Sequence, residues 1–85
     1  MLTNTYQWRG YPIIVGSGNK KYVAIVDGKR VPFGDSRYQQ YHDKLGHWSS
    51  LDHNDPERRK RFRKRFAKSA DAVGTAGWFS YHVLW

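Results

Sequence analysis

With 85 residues and no cysteine, the chain is one small domain that neither a disulfide framework nor a thiolate zinc site can stabilise. Fifteen Lys and Arg against seven Asp and Glu leave a formal charge of +8, which favours anionic polymers, anionic membrane surfaces or acidic protein faces as partners. No apolar run is long enough to span a bilayer, and the N-terminus lacks the basic start and apolar stretch of a secretory signal, so a soluble, intracellular or virion-located protein is expected, built on a core made largely from four Trp, six Tyr and four Phe.

The first third has strand character. Tyr11 to Val15 ends in the turn signal Gly16-Ser17-Gly18-Asn19, Lys20 to Val26 resumes as a second apolar run, and Asp27-Gly28 offers positive-φ turn chemistry before Lys29 to Phe33. Tyr6 and Trp8 add a short piece before these, with Gly10 as the break. A small antiparallel β-meander over residues 1–33 follows. Pro12 and Pro32 cannot donate to a ladder and belong at strand ends or on an edge.

After Gly34, either Asp35 or Ser36 is a candidate cap for a helix over 36–45, on which Tyr38, Tyr41 and Leu45 share one face. Gly46 ends it. In the polar loop that follows, Trp48 and Leu51 read as pins onto the core. Asn54-Asp55-Pro56-Glu57 then gives the best-specified helix start in the chain: Asp55 as N-cap, Pro56 at the first helical position and Glu57 beside the positive end of the dipole. The predicted helix runs over 55–69. Ser69 to Gly74 is a small-residue linker, and a last helix over 75–85 carries Trp78, Tyr81, His82 and Trp85 on one face, widened by Phe79 and Val83. The fold class is therefore α+β, a small N-terminal antiparallel meander followed by two or three short helices.

The basic helix holds the strongest functional signal. Eight of the eleven residues from Arg58 to Lys68 are cationic (Arg58, Arg59, Lys60, Arg61, Arg63, Lys64, Arg65, Lys68), and the remaining seven basic residues balance the seven acids. The entire net charge thus arises here. Phe62 and Phe66, with Ala70, form an apolar line one residue wide, on which the Arg58 stem also lies. A solvated structural face ordinarily intersperses acids among its bases, and this one does not. Cations of a single sign point to phosphate contact. The helix carries no Asn or Gln to read base edges, so sequence-neutral binding is the favoured form. Exposed rings could add base stacking, with Tyr6, Trp8 and Trp48 as the expected candidates.

His42, Asp43, His47, Asp52 and His53 invite a metal or nuclease reading, and Leu51-Asp52-His53 resembles the Asp-His start of the His-Asn-His nucleases. The Asn and metal-ligand His that such a site needs on the next helix are missing, because that helix is basic. Structural roles for these aspartates, as caps or as partners of Arg37 and the basic helix, are preferred. No Walker loop, paired-carboxylate constellation or serine nucleophile setting occurs. No enzyme, no metal and no cofactor are expected.

Val31-x-Phe33-Gly34 with Arg37-Tyr38, then Tyr41-x-Asp43, His53-x-Asp55 leading into Arg58-x-x-Arg61-Phe62-x-x-Arg65, and Thr75-Ala76-Gly77-Trp78 closing on Leu84-Trp85 resemble a family of small uncharacterised proteins encoded by large DNA viruses and some phages. The resemblance covers residues 29–85 and departs from the family pattern in a His47–Asp52 insertion. It implies a viral origin and a place in the virion or the host cell interior. Since the family has no established activity, no site residue is carried over.

The expected function is nucleic-acid backbone binding through the Arg58–Lys68 helix, whether DNA or RNA. A minor capsid or cement protein that docks on acidic protein surfaces, with the aromatic tail as its anchor, is the alternative. Inhibition of a host nucleic-acid-binding protein is a third.

Overall fold

The turn chemistry of the first third produces a four-stranded antiparallel sheet in a computed structural model that describes residues 5–85. Strands β1 (Thr5–Trp8), β2 (Tyr11–Val15), β3 (Lys20–Val26) and β4 (Lys29–Asp35) lie side by side in sequence order. Two of the three turns are the two-residue loops Arg9-Gly10 and Asp27-Gly28, with positive φ at both central residues, a turn geometry whose twist matches that of paired strands. The meander expected over 1–33 is therefore sheet from Thr5 onward and continues to Asp35, while its first four residues lie outside the described residues. Pro32 stands on β4, an edge strand, and Pro12 is the second residue of β2.

Strand alternation decides which face is the core. Tyr6 pairs with Ile13, Ile13 with Ala24, Ala24 with Val31, and Tyr22 with Phe33. On that face Ile13, Tyr22, Ala24 and Phe33 are buried. Their cover comes from the far end of the chain. Helix α2 (Ala76–Phe79) is capped by Thr75, whose Oγ1 accepts from the Trp78 N–H, and runs directly into a π-helical turn over Ser80–Leu84. Trp78, Phe79, Val83 and Leu84 close the core, with the Phe79 ring stacked on Phe33 at 5.2 Å and edge-on to Tyr11 at 5.4 Å.

Two expectations are corrected here. The last helix does not bury the face Trp78, Tyr81, His82 and Trp85. Only Trp78 of these is buried; Phe79 and Val83, expected to widen that face, are buried with it, and Leu84 joins them. The bond from Trp85 N–H to the Ser80 carbonyl, 3.2 Å, spans five residues. Such a wide turn shifts the helical phase that a period of 3.6 assumes.

The helix expected over 36–45 does not form; that stretch is irregular chain, followed by a short 3₁₀ turn over Ser49–Leu51. Polar side chains there capture the backbone donors that a helix would use. The Asp43 carboxylate accepts from the Leu45 and Trp48 N–H groups (2.9 and 2.8 Å) and from the Tyr22 hydroxyl (2.5 Å). Asp52 accepts from the Asp43 N–H at 2.7 Å and from Gln40 Nε2 at 2.5 Å. Gln40, Asp43 and Lys21 are all buried, and Lys21 Nζ donates to Gln40 Oε1. Burial raises the Tyr22 pKa well above its ordinary value, reinforced by the hydrogen bond to Asp43. Burial likewise lowers that of Lys21, against the opposing pull of Asp43, Asp35 and Asp52. Tyr38, expected on the helix's apolar face, is 65% exposed.

Candidate nucleic-acid interface

Helix α1 (Pro56–Arg65) begins where its sequence places it. Asp55 Oδ1 accepts from the Glu57 N–H at 3.0 Å and the Arg58 N–H at 3.4 Å, and Pro56 stands in the first turn, where a missing N–H costs nothing. The helix stops at Arg65, short of the expected 69. Phe66 leaves helical geometry, and Ala67–Asp71 tightens into a 3₁₀ turn. That turn seats Ser69 against Gly77, where a Cβ would fall 2.7 Å from Ser69 Oγ, and presents the Ala70 carbonyl to His82 Nε2 at 3.0 Å. A regular helix through 69 would forfeit both contacts.

No residue of α1 is buried. The apolar line of Phe62 and Phe66 forms a satellite stack outside the core. Phe62 lies parallel to the Trp85 ring, centroids 4.2 Å apart, and touches Phe66 at 4.6 Å, while Phe66 is 40% exposed.

The eight predicted cations separate into two groups. Arg59 Nε donates to the backbone oxygen of Trp85 at 2.9 Å, and Arg63 donates to the same atom through Nε and Nη2 at 3.3 and 3.1 Å. Their guanidiniums lie over the Tyr41 and Tyr81 rings. The Leu84 and Val83 carbonyls accept from the His42 and Lys44 N–H groups at 3.0 and 3.1 Å. Three successive carbonyls at a helix C-terminus, which have no partner within the helix, are thus satisfied from outside, and two cations meet the negative end of its dipole. Arg58, also half-buried, donates to Gln39 Oε1 at 2.9 Å.

Lys60, Arg61, Lys64, Arg65 and Lys68 form the second group, and all five are exposed. Spacings of one, three and four residues put the first four on a single arc of α1, with Lys68 just beyond its end. Among the described residues no Asp or Glu side chain forms an ion pair with any of the eight cations; the ion pairs found are Arg37–Asp35 and His42–Asp52.

Beside this arc lies a cleft of about 320 Å³, which sequence reasoning missed because four separate segments build it. It is lined by Phe62, Phe66 and Ser69, by Gly34, Tyr38 and Gln39, by Leu84 and Trp85, and by Lys21 of β3. Gly34 has a φ of 74°, and a Cβ there would come 2.8 Å from Leu84 Cδ1, so only glycine allows β4 to approach the last helix this closely. Asp35 supplies the cleft's carboxylate. Arg37 holds it through both Nε and Nη2 (3.0 and 2.8 Å) and, with a bond from its own N–H, lowers the Asp35 pKa to about 2. A shallower hollow shares Phe62, Phe66 and Trp85 with the cleft and is flanked by Arg58, Arg61 and Arg65.

The stacking candidates Tyr6, Trp8 and Trp48 are corrected: all three are half-buried and packed against the core, and Trp48 Nε1 donates to the Lys21 carbonyl. The exposed large rings are Tyr38 and Phe66. As for the His and Asp cluster, Asp43 and Asp52 are engaged by backbone and side-chain donors, and His42 Nδ1 sits 3.1 Å from Asp52 Oδ2. His53 Nδ1 accepts from the Asp55 N–H, and its Nε2 is buried without a hydrogen-bond partner. Among the described residues no group of three or more His, Cys, Asp or Glu side chains is placed to hold a metal ion, and no helix is long and apolar enough to cross a membrane. Comparison with protein-family models, with curated proteins and with solved structures yields no match.

Proposed function

We propose that this protein binds nucleic acid through the phosphate backbone, without sequence specificity, using the outward arc of α1. One observation carries the reading: Lys60, Arg61, Lys64, Arg65 and Lys68 reach solvent, are free of Asp or Glu ion-pair partners among the described residues, and are set on a segment with no buried residue. Such an array has no role in packing, and like charges four residues apart cost a helix roughly 0.2–0.5 kcal/mol per pair. Neutralised by phosphates, the same array releases counterions and gains affinity. Arg58, Arg59 and Arg63, hydrogen-bonded within the chain, position the helix for this contact. On this reading the protein is a binding module and not an enzyme. The resemblance over residues 29–85 makes it a viral one, acting in the virion or the host cell interior. The capsid-docking alternative needs the aromatic tail as an external anchor, but that tail is committed to its own core.

The test is fluorescence anisotropy with labelled duplex and single-stranded oligonucleotides across a salt series. Binding should be strongest near about 50 mM salt and should weaken with a log–log slope of roughly −0.7 to −0.9 per phosphate contacted. Changing Lys60, Arg61, Lys64 and Arg65 together to Gln should flatten that slope by about two or more, at roughly 0.7–0.9 for each phosphate no longer neutralised, and leave circular dichroism unchanged. Absence of binding to either oligonucleotide at low salt would refute the reading.

A further inference from the structure

We propose that the cleft between Tyr38 and Phe66 takes an unpaired base of a single-stranded nucleic acid whose phosphates run along the exposed cations of α1. The inference rests on the backbone-binding reading and names the form of nucleic acid that it prefers. Tyr38 and Phe66, 65% and 40% exposed, are the large rings that the fold leaves open, and both border the same cleft. Each also lies near a guanidinium, with Arg37 5.8 Å from the Tyr38 centroid and Arg65 5.4 Å from that of Phe66. Aromatic faces flanked by arginines along a cationic track are the recurrent platform for single strands, because every base has a face to stack and every nucleotide a phosphate to pair.

Size and charge point to the same occupant. At about 320 Å³ the cleft lies at the small end of the range for small-molecule pockets, roughly 300–1,000 Å³, which admits one heterocycle and excludes a duplex. Its lining is largely apolar, with the Ser69, Ser80 and Gln39 side chains as sparse polar partners. Such a lining stacks a base without reading its identity, in keeping with sequence-neutral binding. Lys21 also lines the cleft, but its amine is engaged by Gln40, so no free cation competes for it. The carboxylate there, Asp35, is already paired with Arg37 and does not repel an incoming phosphate. Arg58, Arg61 and Arg65 border the adjoining hollow and stand where the sugar–phosphate of a seated base would emerge.

The experiment compares three labelled polymers of equal length at about 50 mM salt, where phosphate contacts are strong: a mixed-sequence single strand, the same backbone made abasic, and poly-glutamate. The single strand should bind roughly 5- to 100-fold more tightly than the abasic strand. Tyr38→Ala with Phe66→Ala, at two exposed positions, should reduce that ratio to within about twofold and leave abasic binding unchanged. Arg61→Gln with Arg65→Gln should weaken both strands together and preserve the ratio. A wild-type ratio near one overturns the base slot while leaving backbone binding in place, and so does a ratio that survives the double alanine change. Poly-glutamate binding as tightly as the single strand overturns it in favour of an acidic protein partner. If none of the three polymers binds, the backbone reading falls with it.

Discussion

Helix α1 and the C-terminal segment from Ala76 to Trp85 are of equal length, ten residues each, yet they relate to the fold in opposite ways. The C-terminal segment buries Trp78, Phe79, Val83 and Leu84 against the sheet. The basic helix buries nothing, and it is held from one side by Phe62 on Trp85 and by two arginines on a carbonyl. Stability therefore resides in the sheet and the chain's end, and the outer face of α1 is free of structural duty. That division lets a chain this small keep eight cations on one segment and still fold.

The largest effect should come from the core side of this contrast. Phe79→Ala removes a fully buried ring that touches Tyr11, Phe33 and Trp78, and should cost about 3–5 kcal/mol. Phe62→Ala, at a half-buried ring outside the core, should cost only about 1–2 kcal/mol. Urea midpoints of the two variants measure the difference; equal losses would mean that α1 belongs to the core.

Next comes the buried polar network that replaces a helix over 36–45. Asp43→Ala strands the Tyr22 hydroxyl and the Leu45 and Trp48 N–H groups, and should cost about 2–4 kcal/mol. A loss below about 1 kcal/mol would show that water replaces the carboxylate readily and that the loop is held by its apolar pins instead.

These two sites mark the limit of what the sequence discloses. Strand alternation, the Asp27-Gly28 turn and the Asp55-Pro56 cap are local features, and each appears where the residues place it. Tyr38, Tyr41 and Leu45 also have local periodicity, but Asp52, nine residues beyond Asp43, and Tyr22, on β3, compete for the same chain through side-chain hydrogen bonds. No periodicity records that competition. The cationic run is equally readable as a cluster, whereas its division into structural and free arginines depends on the Trp85 carbonyl, far along the chain, and on a π turn that rotates the final residues. The cleft joins four segments and has no signature in any one of them.

A smaller effect tests the division within α1 itself. Arg59→Gln with Arg63→Gln withdraws the charged donors from the Trp85 oxygen and should cost about 1–3 kcal/mol. Arg61→Gln with Arg65→Gln, the same chemistry on the outward arc, should stay within about ±0.5 kcal/mol. Thermal melts of the two pairs at equal salt compare them directly. Equal losses would erase the distinction between positioning and binding cations.

The smallest expected effect is a pH dependence at the junction of the two regions. His53 Nδ1 accepts from the N–H of Asp55, the residue that caps α1, while its ring lies against Trp85 with centroids 5.1 Å apart. The ring must therefore be neutral, with its proton on Nε2, to serve the cap. Burial first, and then the nearby Arg58 charge, lower its pKa below the ordinary 6.5. As pH falls through 6.5 the unfolded chain takes up a proton that the folded chain refuses, so stability falls with acidification until the folded pKa is passed, and above 6.5 this group contributes no slope. The melting temperature should accordingly drop by a few degrees, less than about 5 °C, between about pH 7 and 5.5, and His53→Gln should remove most of that drop. A wild-type melting temperature that holds or rises over the same interval would show that His53 accepts its proton without loosening the Asp55 cap, and α1 would then be docked independently of the imidazole beneath it.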